Sequence, residues 1–200
     1  MKMSRKEVER SFKKDFVGEV AFRLFSNKPF DRVSMDEIAR EAEFGKGTLY
    51  KLFSGKEEIM VHVICRGIEN LCRDLEEQCL GNSDARQALR LLLELEYDFY
   101  TRYSNLVLAL VLYQSDYSEP AFLERVRMQH QQHIDLLVKI FERSRIEGMR
   151  FRMDNQELIR ALKAAIKGLM INHIEQPIPD YSREKDLELL NAMLWTGLLA

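Results

Sequence analysis

The chain is poor in the residues that break helices. Four prolines and nine glycines in 200 residues are too few for the turns of a β-rich domain and favour a mostly helical chain. No apolar run approaches the roughly 20 residues that a membrane-spanning helix needs. The amino-terminal run M-K-M-S-R-K-E-V-E-R is charged and leads into no hydrophobic signal core, which points to a cytoplasmic protein without a membrane partner. Catalytic signatures are missing too: there is no G-x-S-x-G, no H-E-x-x-H, no G-x-x-x-x-G-K and no strand-led G-x-G-x-x-G. The expectation is therefore a protein without catalytic residues, cofactor or bound metal, not an enzyme.

Cysteine and histidine are scarce. Cys65, Cys72 and Cys79 stand seven apart, on one stripe of a helix but about 10 Å from each other along its axis. Within one helix that is too far for a disulfide or a shared metal, so they read as small buried apolar residues. The alternative is a thiol sensor or a pairing across subunits. The histidines are His62, His130, His133 and His173. His130 and His133 are three apart, a spacing that can bring two imidazoles to one metal. The polar run M-Q-H-Q-Q-H around them reads instead as a solvated face.

Net charge is −2, unevenly spread: residues 1–66 carry fourteen Lys/Arg against eleven Asp/Glu, and the remainder is acidic. A mildly basic head on an acidic body fits a nucleic-acid-contacting domain joined to a sensing domain. Within the head, residues 4 to 26 read as a helix with Val8, Phe12, Phe16, Val20 and Phe25 as core, ended by Asn27-Lys28-Pro29. Next comes S-M-D-E-I-A-R-E-A-E-F-G-K-G-T-L-Y-K-L-F, Ser34 to Phe53. Ser34 and Glu37 form a candidate capping box. Ile38, Ala39 and Ala42 share one face, and Gly45 supplies the freedom of a tight turn. In the second short helix Leu49 and Phe53 face inward, while Lys46, Thr48, Tyr50 and Lys51 project outward. Small, hydroxyl and cationic residues at a helix start suit the DNA major groove.

The runs I-A-R-E-A and G-K-G-T-L-Y-K-L-F-S-G-K-E-E-I resemble the helix-turn-helix of the tetracycline-repressor (TetR) family. The likeness is close over about the first third of the chain. It implies a three-helix DNA-binding head (1–55) on a larger helical effector-binding and dimerisation body (56–200), together an all-α fold. It also implies a ligand-responsive transcriptional regulator, a repressor released from a palindromic operator by a small-molecule effector. The DNA-binding residues would be Ser34, Lys46, Gly47, Thr48, Tyr50, Lys51 and Lys56, the last resembling the family's backbone-binding lysine at the start of the next helix. The sequence departs from the family at Glu43, where glycine is usual, at Gly45, often serine, and at Leu52, commonly polar.

In the body, Ser54 with Glu57 reads as a capping box for a helix running from about Lys56 to Leu80 and stopping at Gly81-Asn82. Ser83 and Asp84 open the next, to about Tyr103, with Arg90, Glu94, Asp98 and Arg102 as a solvated ion-pair ladder. Glu96, with Phe99, Tyr100, Tyr103 and Tyr113, is a candidate pocket carboxylate for a cationic aromatic ligand; its plainer reading is a surface glutamate. Leu106 to Tyr113 is an apolar run read as helix buried on all sides, and Asp116 to Pro120 as a loop. A long helix follows to Gly148, then one capped by Asp154 and Glu157, then a last one from Ser182. Leu158, Ala161, Leu162, Ala165 and Leu169, with Leu190, Leu194, Trp195 and Leu198, form apolar faces that call for cover. Pairing with a second copy as a four-helix bundle provides it; the alternative is that both helices bury against their own chain. The competing readings are a metal- or thiol-sensing helical protein or small helical enzyme using Cys72, His130 or His133, and an interaction module without a DNA role.

Overall fold

A computed structural model describes residues 4–112, 120–175 and 182–198, and every regular element among them is helical. In chain order they are α1 (Arg5–Asn27), α2 (Met35–Glu41), α3 (Lys46–Leu52), α4 (Lys56–Leu75), α5 (Ala85–Arg102), α6 (Ser104–Leu112), α7 (Pro120–Ile146), α8 (Asn155–Glu175) and α9 (Arg183–Ala192). A 3₁₀ turn occupies Phe30–Arg32, and wider π-type turns occupy Glu76–Leu80 and Met193–Leu198. Backbone proximity divides the chain into two compact units, Met1–Gly67 with Tyr103–Met128, and Ile68–Arg102 with Gln129–Ala200. The stretch expected to be a loop before Pro120 lies outside the described residues.

In the first unit, α1 begins with a reciprocal capping box: Glu7 N–H donates to Ser4 Oγ (3.3 Å) and Ser4 N–H to Glu7 Oε2 (2.7 Å). Its core face is not the stripe read from the sequence. Val17, Val20, Ala21 and Phe25 are buried, whereas Val8, Phe12 and Phe16 are 54, 73 and 42% exposed. Apolar spacing marks a face, but burial needs a partner, and covering residues meet α1 from about Lys14 onward. There His62 packs on Gly18 and donates toward Asp15 (3.1 Å), and Lys14 pairs with Glu58 (2.9 Å). Burial holds the His62 imidazole below its ordinary pKa, partly offset by the Asp15 carboxylate.

The start of α4 differs from the expected box. The helix is entered through Gly55, whose carbonyl accepts from Ile59 N–H, and Ser54 is bonded through both N–H and Oγ by Glu58 rather than Glu57. The apolar run of α6 is only partly covered; Leu106 and Ala109 are buried, and Val107, Leu108 and Leu110 half-buried. Tyr103 packs at a tilt against Phe22 (4.7 Å between centroids, 33° between planes) and so close to α4 that a Cβ on Gly67 would sit 2.6 Å from its ring. Glycine is required there by close approach.

In the second unit, Asp84 caps α5 by accepting from Arg86 and Gln87 N–H, Asp154 accepts from Glu157 N–H to start α8, and Ser182 accepts from Lys185 N–H to start α9. These are the starts the capping residues predicted. The ladder on α5 is tied across the unit: Arg183 of α9 grips Asp98 with two bonds (2.6 and 2.8 Å) and reaches Glu94 (3.8 Å). A buried polar knot joins Tyr97 and His173 to Asp186 Oδ2, at 2.8 and 2.7 Å.

Candidate functional site

Seven residues make α3, too few to be stable alone. Tertiary burial holds it: Leu49, Leu52 and Phe53 go into the core beside Ile38, Ala39 and Ala42 of α2 and its cap. Burying Leu52 accounts for this departure from the family's usual polar residue. Ser34 Oγ accepts from Glu37 N–H (3.1 Å), and the Glu37 carboxylate bonds Lys28 (2.5 Å), which holds its pKa below the ordinary range.

The turn differs from the expectation in an informative way. Gly45 has ordinary extended angles (φ −63°, ψ 143°) and is the cap of α3; the left-handed residue is Glu43, at φ 57°. Phe44 N–H donates to Ala39 O (2.9 Å) and Glu43 N–H to Arg40 O (3.1 Å). That is the Schellman ending, whose left-handed position favours glycine. The same motif closes α7: Met149 N–H reaches Ser144 O and Gly148 N–H reaches Arg145 O, there with glycine at φ 96°. Glu43→Gly is accordingly expected to raise stability by about 1 kcal/mol, the left-handed strain outweighing the entropy of an added glycine. Urea unfolding checks it; a loss of stability would mean that the Glu43 side chain contributes more than its backbone strain removes.

Lys46, Gly47, Thr48, Tyr50 and Lys51 are all exposed on α3, as expected, with Lys46 paired to Asp36 (2.5 Å). A Cβ on Gly47 would meet nothing within 4 Å, so no neighbour inside the chain requires glycine there. Lys56 departs from the expectation. Its ammonium donates to the carbonyls of Phe30 (3.1 Å), Val33 (3.1 Å) and Asp31 (3.4 Å) and lies over the Phe30 ring. It has three N–H donors and three internal acceptors, so it holds the turn before α2 instead of projecting outward.

Of the candidate pocket residues, Glu96, Phe99 and Tyr100 belong to the second unit. Tyr103 belongs to the first unit, and Tyr113 lies outside the described residues. Phe99 and Tyr100 meet edge to face at 5.5 Å. Glu96 is neither a surface residue nor an open pocket carboxylate: it is 1% exposed and bonded to His133, itself 2% exposed. The solvated reading of His133 is thereby overturned. Lys163 of α8, 7% exposed, completes the row from 3.3 Å on the opposite imidazole nitrogen. A lysine ammonium only donates, so His133 Nδ1 accepts and Nε2–H donates to Glu96 Oε1. The second carboxylate oxygen, Oε2, is buried without a partner. Periodicity missed this relay because its members come from three different helices, and the pattern within one helix does not mark which partner another will bring.

A cleft of about 410 Å³ opens between α4 with its π-type extension and α7, lined by Glu69, Cys72, Arg73, Glu76, Gln129, Gln132, Asp135, Leu136 and Lys139. Cys65 and Cys79 are buried and Cys72 half-buried, all as free thiols. Burial, with the Glu96 charge, pushes the Cys72 thiol up to about 11 and that of Cys79 to about 12, away from the reactive thiolate. Among the described residues no group of three or more His, Cys, Asp or Glu is placed to hold a metal ion.

The apolar faces of α8 and α9 are rotated from those expected. Leu158, Leu162, Leu190 and Leu194 are buried within the chain itself, so they cannot also face a partner. Ala161, Ala165, Leu169 and Trp195 are half-buried, and the Leu198 side chain lies outside the described residues. Open on the adjoining stripe are Ala164, Ile171 and Asn172 of α8, with Leu189 of α9 and Met193 just after it.

Two short helices, a Schellman turn and an exposed, basic second helix define a helix-turn-helix protein. The model of the bacterial regulatory proteins of the tetR family matches residues 19–63 of the chain. The chain is 30% identical over 135 residues to the HTH-type transcriptional activator FasR of Mycolicibacterium smegmatis, a match covering 66% of this chain and 61% of that protein. The chain thus spans under two thirds of that relative's length. A transcriptional regulator from Saccharomonospora viridis in complex with choline shares the fold with a TM-score of 0.79 at 20% identity, over 95% of this chain and 99% of that one. The regulator FadR of Bacillus subtilis in complex with stearoyl-CoA does so with a TM-score of 0.72 at 15% identity, over 91 and 97%.

Proposed function

We propose that the chain is a ligand-responsive transcriptional regulator that binds operator DNA as a homodimer and acts by binding, not catalysis. The observation that carries this reading is the outer face of α3, where Lys46, Gly47, Thr48, Tyr50 and Lys51 are exposed together on a buried apolar base. Lys46 and Lys51 engage phosphates, Thr48 reaches a base edge or a thymine methyl, and Tyr50 meets backbone or base. Gly47 lets the helix start lie close to the duplex. Residues 1–55 form the DNA-binding head and 56–200 the effector-binding and dimerisation body, in the cytoplasm. No helix among the described residues is long and apolar enough to cross a membrane.

The dimer forms through the open stripe of α8 and α9 around Ala164, Ile171 and Leu189, placing two copies of α3 on successive major grooves of a palindromic operator. An effector in the body lowers operator affinity by binding the two states of the dimer unequally. The choline and stearoyl-CoA held by proteins of the same fold support such a site. Loss of DNA on effector binding makes the protein a repressor; the likeness to FasR, named as an activator, favours a second reading in which the bound dimer promotes transcription.

Gel shifts against salt test the DNA role. Lys51→Ala is expected to weaken operator binding and to flatten the log-affinity against log-salt slope by about one for each phosphate that Lys51 neutralises. Parental affinity with the parental slope would overturn the assignment.

A further inference from the structure

The first turn of α2 carries two neighbouring carboxylates, Asp36 and Glu37, and they turn to different sides. Glu37 bonds Lys28 just after α1, whereas Asp36 Oδ2 accepts from the ammonium of Lys46, the first residue of α3, at 2.5 Å. One step along a helix rotates a side chain by about 100°, so only one of the two can face α3. Asp36 does. Both members of its pair are open to solvent, Asp36 with 58% and Lys46 with 67% of the side chain exposed. An exposed ion pair contributes little to folding. Lys46 lies on the outer face with Gly47, Thr48, Tyr50 and Lys51, so the pair sets a negative charge at the edge of the surface that meets the duplex.

A carboxylate there is repelled by phosphates unless the duplex also donates to it. In the major groove the base donors are the amino groups of cytosine and adenine. A carboxylate only accepts, which matches cytosine, whereas adenine sets the acceptor N7 beside its amino group. An ammonium has three N–H donors, so Lys46 can hold Asp36 with one and a phosphate with the others.

We infer that Asp36 is a specificity-determining residue, its Oδ1 accepting from the 4-amino group of one cytosine in each operator half-site. This contact rests on the reading of the chain as a DNA-binding regulator and names a base that its operator contains. Lys46 bridges the carboxylate to a phosphate and so shields it from the backbone, while Thr48 and Tyr50 meet neighbouring positions. The two-fold axis of the dimer repeats the contact, placing the cytosines at symmetry-related positions.

The test selects random-sequence duplexes on the full-length protein and on Asp36→Ala. The parent motif has cytosine at one position of each half-site. Asp36→Ala loses that preference by about tenfold and keeps the others, since one mismatched pair is worth about that factor. Alanine suits an exposed helical position, and thermal unfolding checks that the variant is folded. In gel shifts, 2-pyrimidinone in place of that cytosine, which removes the amino group alone, weakens the parent about tenfold and leaves Asp36→Ala unchanged. An unaltered motif in Asp36→Ala would overturn the contact. So would equal losses of both proteins on the 2-pyrimidinone operator, or tighter binding of all sequences alike by Asp36→Ala, the mark of a carboxylate that only repels phosphate. A parent that selects no motif sinks the regulator itself, whereas a parent motif indifferent to Asp36→Ala sinks only the cytosine contact.

Discussion

Lys163→Met is expected to cost about 3–5 kcal/mol of stability, the usual effect of removing one member of a buried charged group. For a chain of this length that lowers Tm by on the order of 10 °C. Lys163 is 7% exposed and lies 3.3 Å from His133 Nδ1. Without it, the Glu96 carboxylate keeps one bond from His133 and loses the cation that balances it, inside a region closed to water. The triple change Glu96→Leu, His133→Leu and Lys163→Met is expected to recover most of the loss, since apolar side chains carry no desolvation cost. Urea unfolding of the single and triple variants checks both. A Lys163→Met protein as stable as the parent would show that the relay contributes nothing to folding.

The pH dependence of the same relay has a definite sign. Burial pushes the Glu96 carboxyl up, but the hydrogen bond from His133 and the charge of Lys163 outweigh it and hold the pKa below the ordinary 4.5. A folded value below the unfolded one contributes stability that is complete above about 4.5 and disappears as pH falls through the folded value. Glu96→Gln lacks this acid loss. Burial lowers the Lys163 pKa from the ordinary 10.5, with Glu96 opposing and Lys167 assisting. The native state there resists the proton more than the unfolded chain does, so stability rises with pH between the two values, and Lys163→Met lacks that alkaline gain.

Leu49→Ala is expected to destabilise the head by about 2–5 kcal/mol and to abolish operator binding. Leu49 is fully buried in a helix of seven residues, which has no stability of its own. Deleting its isobutyl group removes the anchor between the exposed face of α3 and the core beneath. Lys51→Ala, by contrast, removes a charge from the outer face and leaves that anchor in place. The two variants therefore separate an unfolded head from a folded head that grips DNA weakly: thermal unfolding should shift strongly for Leu49→Ala and hardly for Lys51→Ala. Parental Tm and parental operator affinity in Leu49→Ala would mean that α3 is not held through this residue.

Much of the head was legible in the sequence because its signals are local. A serine or aspartate followed three residues on by a carboxylate marks where a helix starts. Apolar residues three and four apart mark which side of a short helix is buried, and both α2 and α3 follow that pattern. The family's habit of placing glycine where Glu43 stands also marked the unusual position, although Gly45 looked like the turn residue. The distinction lies in backbone angles: two N–H groups folding back onto Ala39 and Arg40 force φ 57° on Glu43, and residue type alone does not report them.

By itself, the sequence determined an all-helical chain, a helix-turn-helix between Ser34 and Phe53, and the outward set from Lys46 to Lys51. Only the tertiary structure decided which apolar stripes have partners. It left Phe12 and Phe16 of α1 open, buried Leu158, Leu162, Leu190 and Leu194 in their own chain, and drew Lys56 onto three carbonyls. It alone joined Glu96, His133 and Lys163. The reason is physical: capping and helical periodicity act over three or four residues, whereas burial and ion pairing depend on which helices meet. A glutamate, a histidine and a lysine 30 or more positions apart carry no mark that they will share one dry interior.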